Sequence, residues 1–555
     1  MRLHIIAGPL LALFLHGASL FAQGGTRTGP LERALAAVSE PAIRAHLRFL
    51  AGDALEGRAP GTRGGLLSEM YIAAQFEAFG LEPAGENGSY FQPVSLVGIT
   101  PQPSLIVGTN RRTLALEYLT EFVAWPEMPE PTVTADGELV FVGYGVTAPE
   151  WGWDDYVGEP LAGRIALILV NDPGLSDSTR FNGRQLTYYG RWTYKLEQAA
   201  RMGATGALLI HTTESATYPW SVVRNSWSGE QIMLARRSGP GLRFAGWMTL
   251  DAGRRVMAAA GRDLDLMVQR AQRANFRPMR TGVNLAIDIR SSVRRFQASN
   301  VVGLIRGRDS AVADEGVVLV AHHDHKGIGS SLGGDSIYNG AQDNASGVAV
   351  LLAAASALGS AHLAPRRSVI FLATTAEESG LLGAESYVGN PSIPLERTLA
   401  AINIDGANLR GRTNDVPALG TERSTVGAVF VAAAAAENLT VSPDPNPAAG
   451  SFFRSDHFPF ARAGVPVLSI RIGRQFVGKP PGWGAAEAER YTRERYHQPS
   501  DEFSPAFDLA GAVQQAKVMI RTAWALAQGT EFPTWNPDSE FRPAAERLRT
   551  LRGSR

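Results

Sequence analysis

The chain has 555 residues, of which 45% are hydrophobic and 19% charged, and its 53 acidic and 53 basic side chains give a formal net charge of zero. This length exceeds one ordinary domain, so two domains or one domain with a large insertion are expected. The balanced charge gives no reason to expect nucleic acid or an anionic membrane as a partner. Because the chain has no cysteine, histidine, aspartate and glutamate are its only strong metal ligands.

Residues 1–22 have the features of a secretory signal peptide. A single positive charge at Arg2 precedes an apolar stretch over 5–21, and small residues lie near its end. Pro9 and His16 make this stretch a poor membrane span, so a cleaved signal is favoured over a membrane anchor. We therefore predict a periplasmic or secreted protein, with no stable membrane insertion after cleavage of the signal.

Hydrophobic patterning divides the remaining chain into four segments. Residues 30–134 alternate helical and extended patterns, and 135–280 contain many aromatic residues and short β-branched runs around one helix-like stretch at 194–202. Residues 283–530 return to an α/β pattern, and 531–555 form an arginine-rich tail. We predict an α/β fold with a mixed sheet that has a mostly parallel core and is flanked by helices. The β-rich segment 135–280 is predicted to be an insert, and it contains none of the candidate metal ligands.

The first ligand-type motif follows the strand-like run 317–321. Either His322 is a structural residue at a strand end, or it binds a metal. A metal-binding imidazole usually donates its other N–H to a carboxylate, which fixes its tautomer and orientation, so Asp324 is the expected orienting partner. His323 and His325 are expected to face elsewhere, and neither is predicted to be a ligand.

Three carboxylates form the next two motifs. Asp343 immediately precedes a run of small residues that is typical of a helix, so it is either a helix N-cap or a carboxylate that bridges two metal ions. Glu377 and Glu378 follow the buried run 369–373. Adjacent carboxylates repel unless cations or protons separate their roles, so one can bind a metal while the other accepts a proton. A solvated helix start is the alternative.

The last two motifs contain Asp405 and His497. Asp405 follows an apolar run and therefore needs a partner, and His497 lies in a loop before the helical stretch 509–527. The carboxyl ends of the strands in a mostly parallel sheet open into one crevice. Ligand-type residues at several strand ends should therefore converge there. Together the five motifs predict a metal-dependent hydrolase with a pair of metal ions.

The motifs closely resemble those of the di-zinc exopeptidase family that includes aminopeptidase Y, bacterial leucyl aminopeptidases and glutamate carboxypeptidase II. The resemblance covers about 300–527, and more loosely the loop 55–61. The segment 135–280 is similar to a protease-associated (PA) domain. The catalytic motifs are Ala321-His322-His323-Asp324-His325, Gly340-Ala341-Gln342-Asp343-Asn344-Ala345-Ser346-Gly347, Ala376-Glu377-Glu378, Asn403-Ile404-Asp405, Ser455-Asp456-His457-Phe458-Pro459-Phe460 and Tyr496-His497-Gln498-Pro499-Ser500-Asp501.

The resemblance implies two Zn²⁺ ions per chain in a zinc exopeptidase fold. Asp343 would bridge both ions. Glu378 and His497 would complete one site, and His322 and Asp405 would complete the other.

The resemblance also makes Glu377 the general base and Asp324 the orienting carboxylate. Glu377 would take a proton from the water between the two zinc ions, and the resulting hydroxide would attack the scissile carbonyl. The expected partner is a peptide with a free amino terminus, which the enzyme would cut as an aminopeptidase.

Three alternatives remain open. A glutaminyl cyclase uses the same fold with one zinc ion, and a non-catalytic binding protein would retain only the scaffold. A carboxypeptidase of the glutamate carboxypeptidase type would use the same metal ligands, because these ligands do not fix substrate polarity. Arg454 would then either bind a substrate carboxylate or be a surface or structural residue.

Overall fold

The computed structural model describes residues 29–109, 112–236, 240–361 and 363–554. The predicted signal peptide, 1–22, lies outside these residues. Within the described part of the chain, no helix is both long enough and apolar enough to cross a membrane.

The described residues form both helices and strands. The helices are α1 (Pro30–Ala37), α2 (Glu40–Leu50), α3 (Arg63–Ala78), α4 (Trp192–Arg201), α5 (Thr213–Ala216), α6 (Trp220–Ser226), α7 (Leu250–Ala259), α8 (Leu264–Ala271), α9 (Ser346–Gly359), α10 (Leu382–Gly389), α11 (Val426–Ala436), α12 (His457–Ala463), α13 (Trp483–Glu494), α14 (Ala510–Gln528) and α15 (Arg542–Gly553). The strands are β1 (Glu82–Pro83), β2 (Phe91–Gly108), β3 (Thr113–Leu116), β4 (Phe122–Pro126), β5 (Thr132–Phe141), β6 (Thr147–Ala148), β7 (Trp153–Asp154), β8 (Ile165–Leu169), β9 (Gly206–His211), β10 (Gln231–Leu234), β11 (Phe244–Thr249), β12 (Met279–Ile305), β13 (Gly316–His322), β14 (Gly327–Leu332), β15 (Asp335–Tyr338), β16 (Ser368–Thr374), β17 (Thr398–Ile404), β18 (Ala418–Leu419) and β19 (Val467–Ile470).

The candidate ligands lie on one half of a large mixed sheet. In this half β16, β13, β17 and β19 are parallel neighbours, and β12 and β18 pair antiparallel at its two sides. Every residue of β13, β16 and β17 is buried. Such continuous burial is typical of parallel strands that are covered on both faces, and it explains their near-continuous apolar sequences. The predicted α/β class with a mostly parallel core is confirmed.

Helices cover both faces of this half of the sheet. Helices α2, α3, α9 and α14 contribute buried side chains to the core on one face. Helices α10 and α12 contribute to the core on the other face. Helix α9 is almost entirely buried, from Ser346 to Gly359, which accounts for its small and apolar sequence. It therefore fixes the segment that contains Asp343 against the middle of the sheet.

The predicted insert forms the other half of the same sheet. Strands β5, β8, β9 and β11 are parallel neighbours, and β4 pairs antiparallel with β11. The predicted boundary at 135 falls inside β5, while β4, which precedes that boundary, belongs to this half by its pairing. Helices α4 to α8 also lie between 135 and 280, so the segment is not made of strands alone. Strand β12 runs from β5 to β16 and joins the two halves.

Candidate metal centre

The five predicted ligands meet at the carboxyl ends of the parallel strands. His322 is the last residue of β13, and Asp405 follows directly on β17. Asp343 lies in the short helical turn Ala341–Ala345 ahead of α9, Glu378 follows β16, and His497 lies in the loop after α13. Sequence separation is large because each ligand comes from a different crossover unit, as the parallel topology requires.

Asp343 lies between the two histidines. Its Oδ1 is 3.4 Å from Nε2 of His322, and its Oδ2 is 3.3 Å from Nε2 of His497. Nε2 of His322 is also 3.4 Å from Oδ1 of Asp405. Nε2 of His497 is 3.2 Å from Oε2 of Glu378. The structure therefore brings together both predicted ligand sets, and each oxygen of Asp343 faces a different set.

These residues suit a pair of zinc ions by their chemistry. Imidazole nitrogens and carboxylate oxygens are the zinc ligands that a chain without cysteine can offer. Nε2 of His497 is buried and makes no hydrogen bond among the described residues, although two carboxylates lie within 3.3 Å. A nitrogen that faces carboxylate oxygens without bonding to them fits a cation held between them. The fit supports zinc, and the roles of the individual residues stay predictions.

The charged groups of the site shift one another's pKa values. Burial alone would lower the pKa of His322, but the charge of Glu377 and the hydrogen bonds to Asp343 and Asp405 raise it well above its ordinary value. Burial raises the pKa of Asp343, yet His322 and His497 hold it below its ordinary value. The carboxylates therefore depend on neighbouring cations for their charged state.

Glu377 lies beside the ligands with its side chain only 10% exposed, and its Oε2 is 3.9 Å from Nε2 of His322. Burial raises the pKa of Glu377 well above its ordinary value, the charges of Asp405 and Glu378 raise it further, and His322 opposes them. A carboxylate with an elevated pKa is a stronger proton acceptor, which suits a general base.

Asp324 has partners that the sequence did not indicate. Its carboxylate accepts hydrogen bonds from the backbone N–H of Glu377 at 3.1 Å and of Glu378 at 3.4 Å. Its Oδ1 is 3.8 Å from Nδ1 of His322, and that nitrogen is closer, at 3.3 Å, to the backbone oxygen of Asp324. Asp324 therefore fixes the peptide that carries both glutamates, in addition to facing the imidazole.

The two histidines that flank Asp324 differ. Nε2 of His323 is 3.0 Å from the backbone oxygen of Ser299, so His323 faces away from the ligands as expected. Nδ1 of His325 is 2.6 Å from Oε1 of Glu378, and His325 forms a potential metal-binding group with Asp343 and Glu378. The expectation that His325 faces away from the ligands is therefore wrong. Strand β13 ends at His322, so the alternation of a strand no longer decides where the next side chains point.

Several supporting residues were not identified from the sequence. Lys326 donates from Nζ to Oε2 of Glu378 at 2.9 Å. Burial would lower the pKa of Lys326, but the charge of Glu378 raises it. Asp501 accepts hydrogen bonds from the backbone N–H of Gln342 and Asp343. These contacts join elements that are distant in sequence, so no local pattern indicates them.

The motif around Asp456 forms side-chain hydrogen bonds with residues of β16 and β17. Thr374 donates a hydrogen bond to the buried carboxylate of Asp456, and Asn403 donates from Nδ2 to Oγ of Ser455 at 2.7 Å. Arg58, from the loop that the sequence tied loosely to the family, is 1% exposed. It donates to the backbone oxygens of His323 at 2.8 Å and Gly340 at 3.1 Å. Arg58 therefore links the two segments that carry His322 and Asp343.

Comparison with known proteins identifies the same segment. Residues 300–523 match the model of peptidase family M28. A stretch of 262 residues is 27% identical to leupeptin-inactivating enzyme 1 of Streptomyces exfoliatus. This stretch covers 46% of this chain and 55% of that protein. A stretch of 129 residues is 34% identical to aminopeptidase NAALADL1 of Mus musculus. This stretch covers 22% of this chain and 16% of that protein. The chain thus spans about half of the first relative's length and less of the second's.

The fold is shared with a solved structure. The aminopeptidase from Aneurinibacillus sp. strain AM-1 superposes with a TM-score of 0.50 at 20% identity, over 92% of this chain and 98% of that chain. The predicted family resemblance and fold class are confirmed. The family match does not include 135–280, so the PA domain stays a prediction.

Removal of the shared ligand should empty both metal sites. We expect wild-type protein to retain two zinc ions per chain after dialysis, His497→Ala to retain one, and Asp343→Ala to lose most of both, because each oxygen of Asp343 faces a different ligand set. Zinc per chain is measured by atomic absorption, with the exposed Asp538→Ala as a control that should retain both ions. Retention of one full ion by Asp343→Ala would exclude a bridging role.

Proposed function

We propose that this chain, whose residues 300–523 match the model of peptidase family M28, is a two-zinc aminopeptidase that removes residues from the free amino termini of peptides. The observation that carries the proposal is the position of Asp343, with one oxygen 3.4 Å from His322 and the other 3.3 Å from His497. The names of two relatives, an aminopeptidase and a leupeptin-inactivating enzyme, support a peptide substrate.

The residues of the site divide the reaction between them. Bound zinc would polarise the scissile carbonyl and lower the pKa of the attacking water. Glu377 accepts the proton of that water and returns it to the leaving amine. Asp324 keeps Glu377 in place through the peptide N–H. The nearly buried position of the carboxylate limits exchange of its proton with solvent.

Two alternatives are less well supported. A glutaminyl cyclase with one zinc ion would not need a second complete ligand set, yet both predicted sets converge here. A non-catalytic binding protein would not need Glu377 beside the ligands. In the described residues the two sets and the proposed base lie together, which favours a hydrolase with two metal ions.

A pair of arginines, Arg454 and Arg191, supports carboxypeptidase activity as a second candidate function. Arg454 is exposed, and it directly precedes Ser455, which bonds to Asn403 two residues before Asp405. Burial and the charge of Arg454 lower the pKa of Arg191, in the inserted segment, to about 9. Among the described residues, neither guanidinium has an ion-pair or hydrogen-bond partner. Two unpaired guanidinium groups could bind the terminal carboxylate of a short peptide.

A matched peptide panel tests the polarity of cleavage. One tripeptide sequence is assayed with free ends, with an acetylated amino terminus, and with an amidated carboxyl terminus. We expect acetylation to abolish cleavage and amidation to leave it nearly unchanged. The reverse result would establish a carboxypeptidase and would assign a substrate-binding role to Arg454.

Substitution of the proposed base separates chemistry from metal binding. Glu377→Gln should retain two zinc ions and the wild-type fold, but its kcat should fall by at least about 10²–10⁴, because the amide cannot accept the water's proton. Zinc content and kcat are measured on the same preparation. Wild-type kcat with full zinc content would show that another group takes the proton.

We also propose that the protein acts outside the cytoplasm, in the periplasm or after secretion. The apolar stretch 5–21 supports this location, because it has the length and flanks of a cleaved signal. Expression of the full chain with amino-terminal sequencing of the product tests the proposal. We expect an exported chain that begins shortly after Ala22, whereas a cytoplasmic chain that begins at Met1 would contradict it.

A further inference from the structure

His325 is a buried histidine whose ring lies against a predicted metal ligand. Its side chain is 1% exposed, and neither ring nitrogen makes a hydrogen bond among the described residues. Buried polar groups in folded proteins are almost always paired, so an unpaired imidazole in a site that binds a cation needs an explanation.

The surroundings of His325 indicate what it binds. Nδ1 is 2.6 Å from Oε1 of Glu378, and the two residues form a possible metal-binding group with Asp343. A Cβ added at Gly340 would lie 2.5 Å from Cγ of His325, so this glycine gives the ring room to approach the carboxylate. His497, a predicted ligand, has the same combination of close carboxylate oxygens and an unpaired ring nitrogen.

Lys326 and His325 contact different oxygens of the Glu378 carboxylate. Its Nζ is 2.9 Å from Oε2 of Glu378, and that hydrogen bond uses one of the two oxygens of the carboxylate. A carboxylate that binds a metal through a single oxygen leaves one coordination position free, and His325 lies beside the other oxygen. We propose that His325 is a fourth protein ligand of the metal held by Asp343, Glu378 and His497.

The proposal rests on the two-metal site of the proposed function and adds a ligand to one of its ions. That ion would have two imidazole ligands, from His325 and His497, while the ion at His322 would have one. The asymmetry can be measured directly, without an activity assay. It would also make the two ions differ in affinity, since imidazole is a stronger zinc ligand than water.

The first test uses the wild-type chain, so it does not depend on the folding of a variant. The full protein is labelled with the magnetic nitrogen isotope in histidine, loaded with cadmium alone, and examined by cadmium NMR. We expect one cadmium resonance coupled to two imidazole nitrogens and a second coupled to one. Two resonances that each couple to one nitrogen would overturn this inference and leave the proposed function standing. No bound cadmium would defeat both.

The second test compares variants of two neighbouring histidines. His325→Gln should weaken one zinc site by more than about 100-fold, the upper range for loss of a group that only orients a ligand. It should also remove one coupling from the doubly coupled cadmium resonance. His323→Gln is the matched control, because His323 is buried beside the site but contacts the backbone of Ser299. Loss below 100-fold with the coupling retained would show that His325 only positions Glu378.

Discussion

Carboxylates crowded at one end of a buried sheet are the constraint on which the site depends. Asp343, Glu377, Glu378 and Asp405 approach the same two imidazoles, and the charges of neighbouring carboxylates act to raise the pKa values of Asp343, Glu377 and Asp405. An uncompensated buried charge costs about 3–5 kcal/mol. The fold opposes this cost with Lys326 and the histidines. Bound metal ions would oppose it further, so metal binding and the stability of the site should be coupled.

The fold fixes this arrangement through backbone contacts around the ligands. Asp324 and Asp501 accept hydrogen bonds from backbone N–H groups next to metal ligands, and Arg58 donates to backbone carbonyls on two other segments. Side chains that bind backbone groups fix the direction of a loop as well as one atom. Three buried charged residues therefore position ligands that come from separate crossover units. Such rigid support limits loss of geometry when a single ligand moves.

The sequence predicted which ligand-type residues converge, because these residues lie where strong patterns end. His322 and Asp405 follow continuous apolar runs, and a parallel sheet brings the ends of such runs together. Lys326 and Arg58 were missed because their roles come from contacts between segments far apart in the chain. His325 was expected to face elsewhere, but β13 ends at His322, so strand alternation does not decide where its side chain points. The helix-like stretch expected at 194–202 of the insert corresponds to α4, whereas helices α5 to α8 were not predicted, because the β-branched runs of the segment are more conspicuous than these short helices.

The long strand β12 determines how the insert can act on the site. Its residues Asn284–Val301 pair without interruption with β2, while its two ends pair with β5 in the insert and β16 beside the ligands. The hydrogen-bonded strands β2 and β12 therefore connect the two halves, whereas domains that move usually meet at a flexible linker with few crossing contacts. Tyr188 of the insert also packs on Phe458, which closely follows Asp456. The insert therefore packs against the segment that supports the strands of the metal centre, and it contributes none of the predicted ligands.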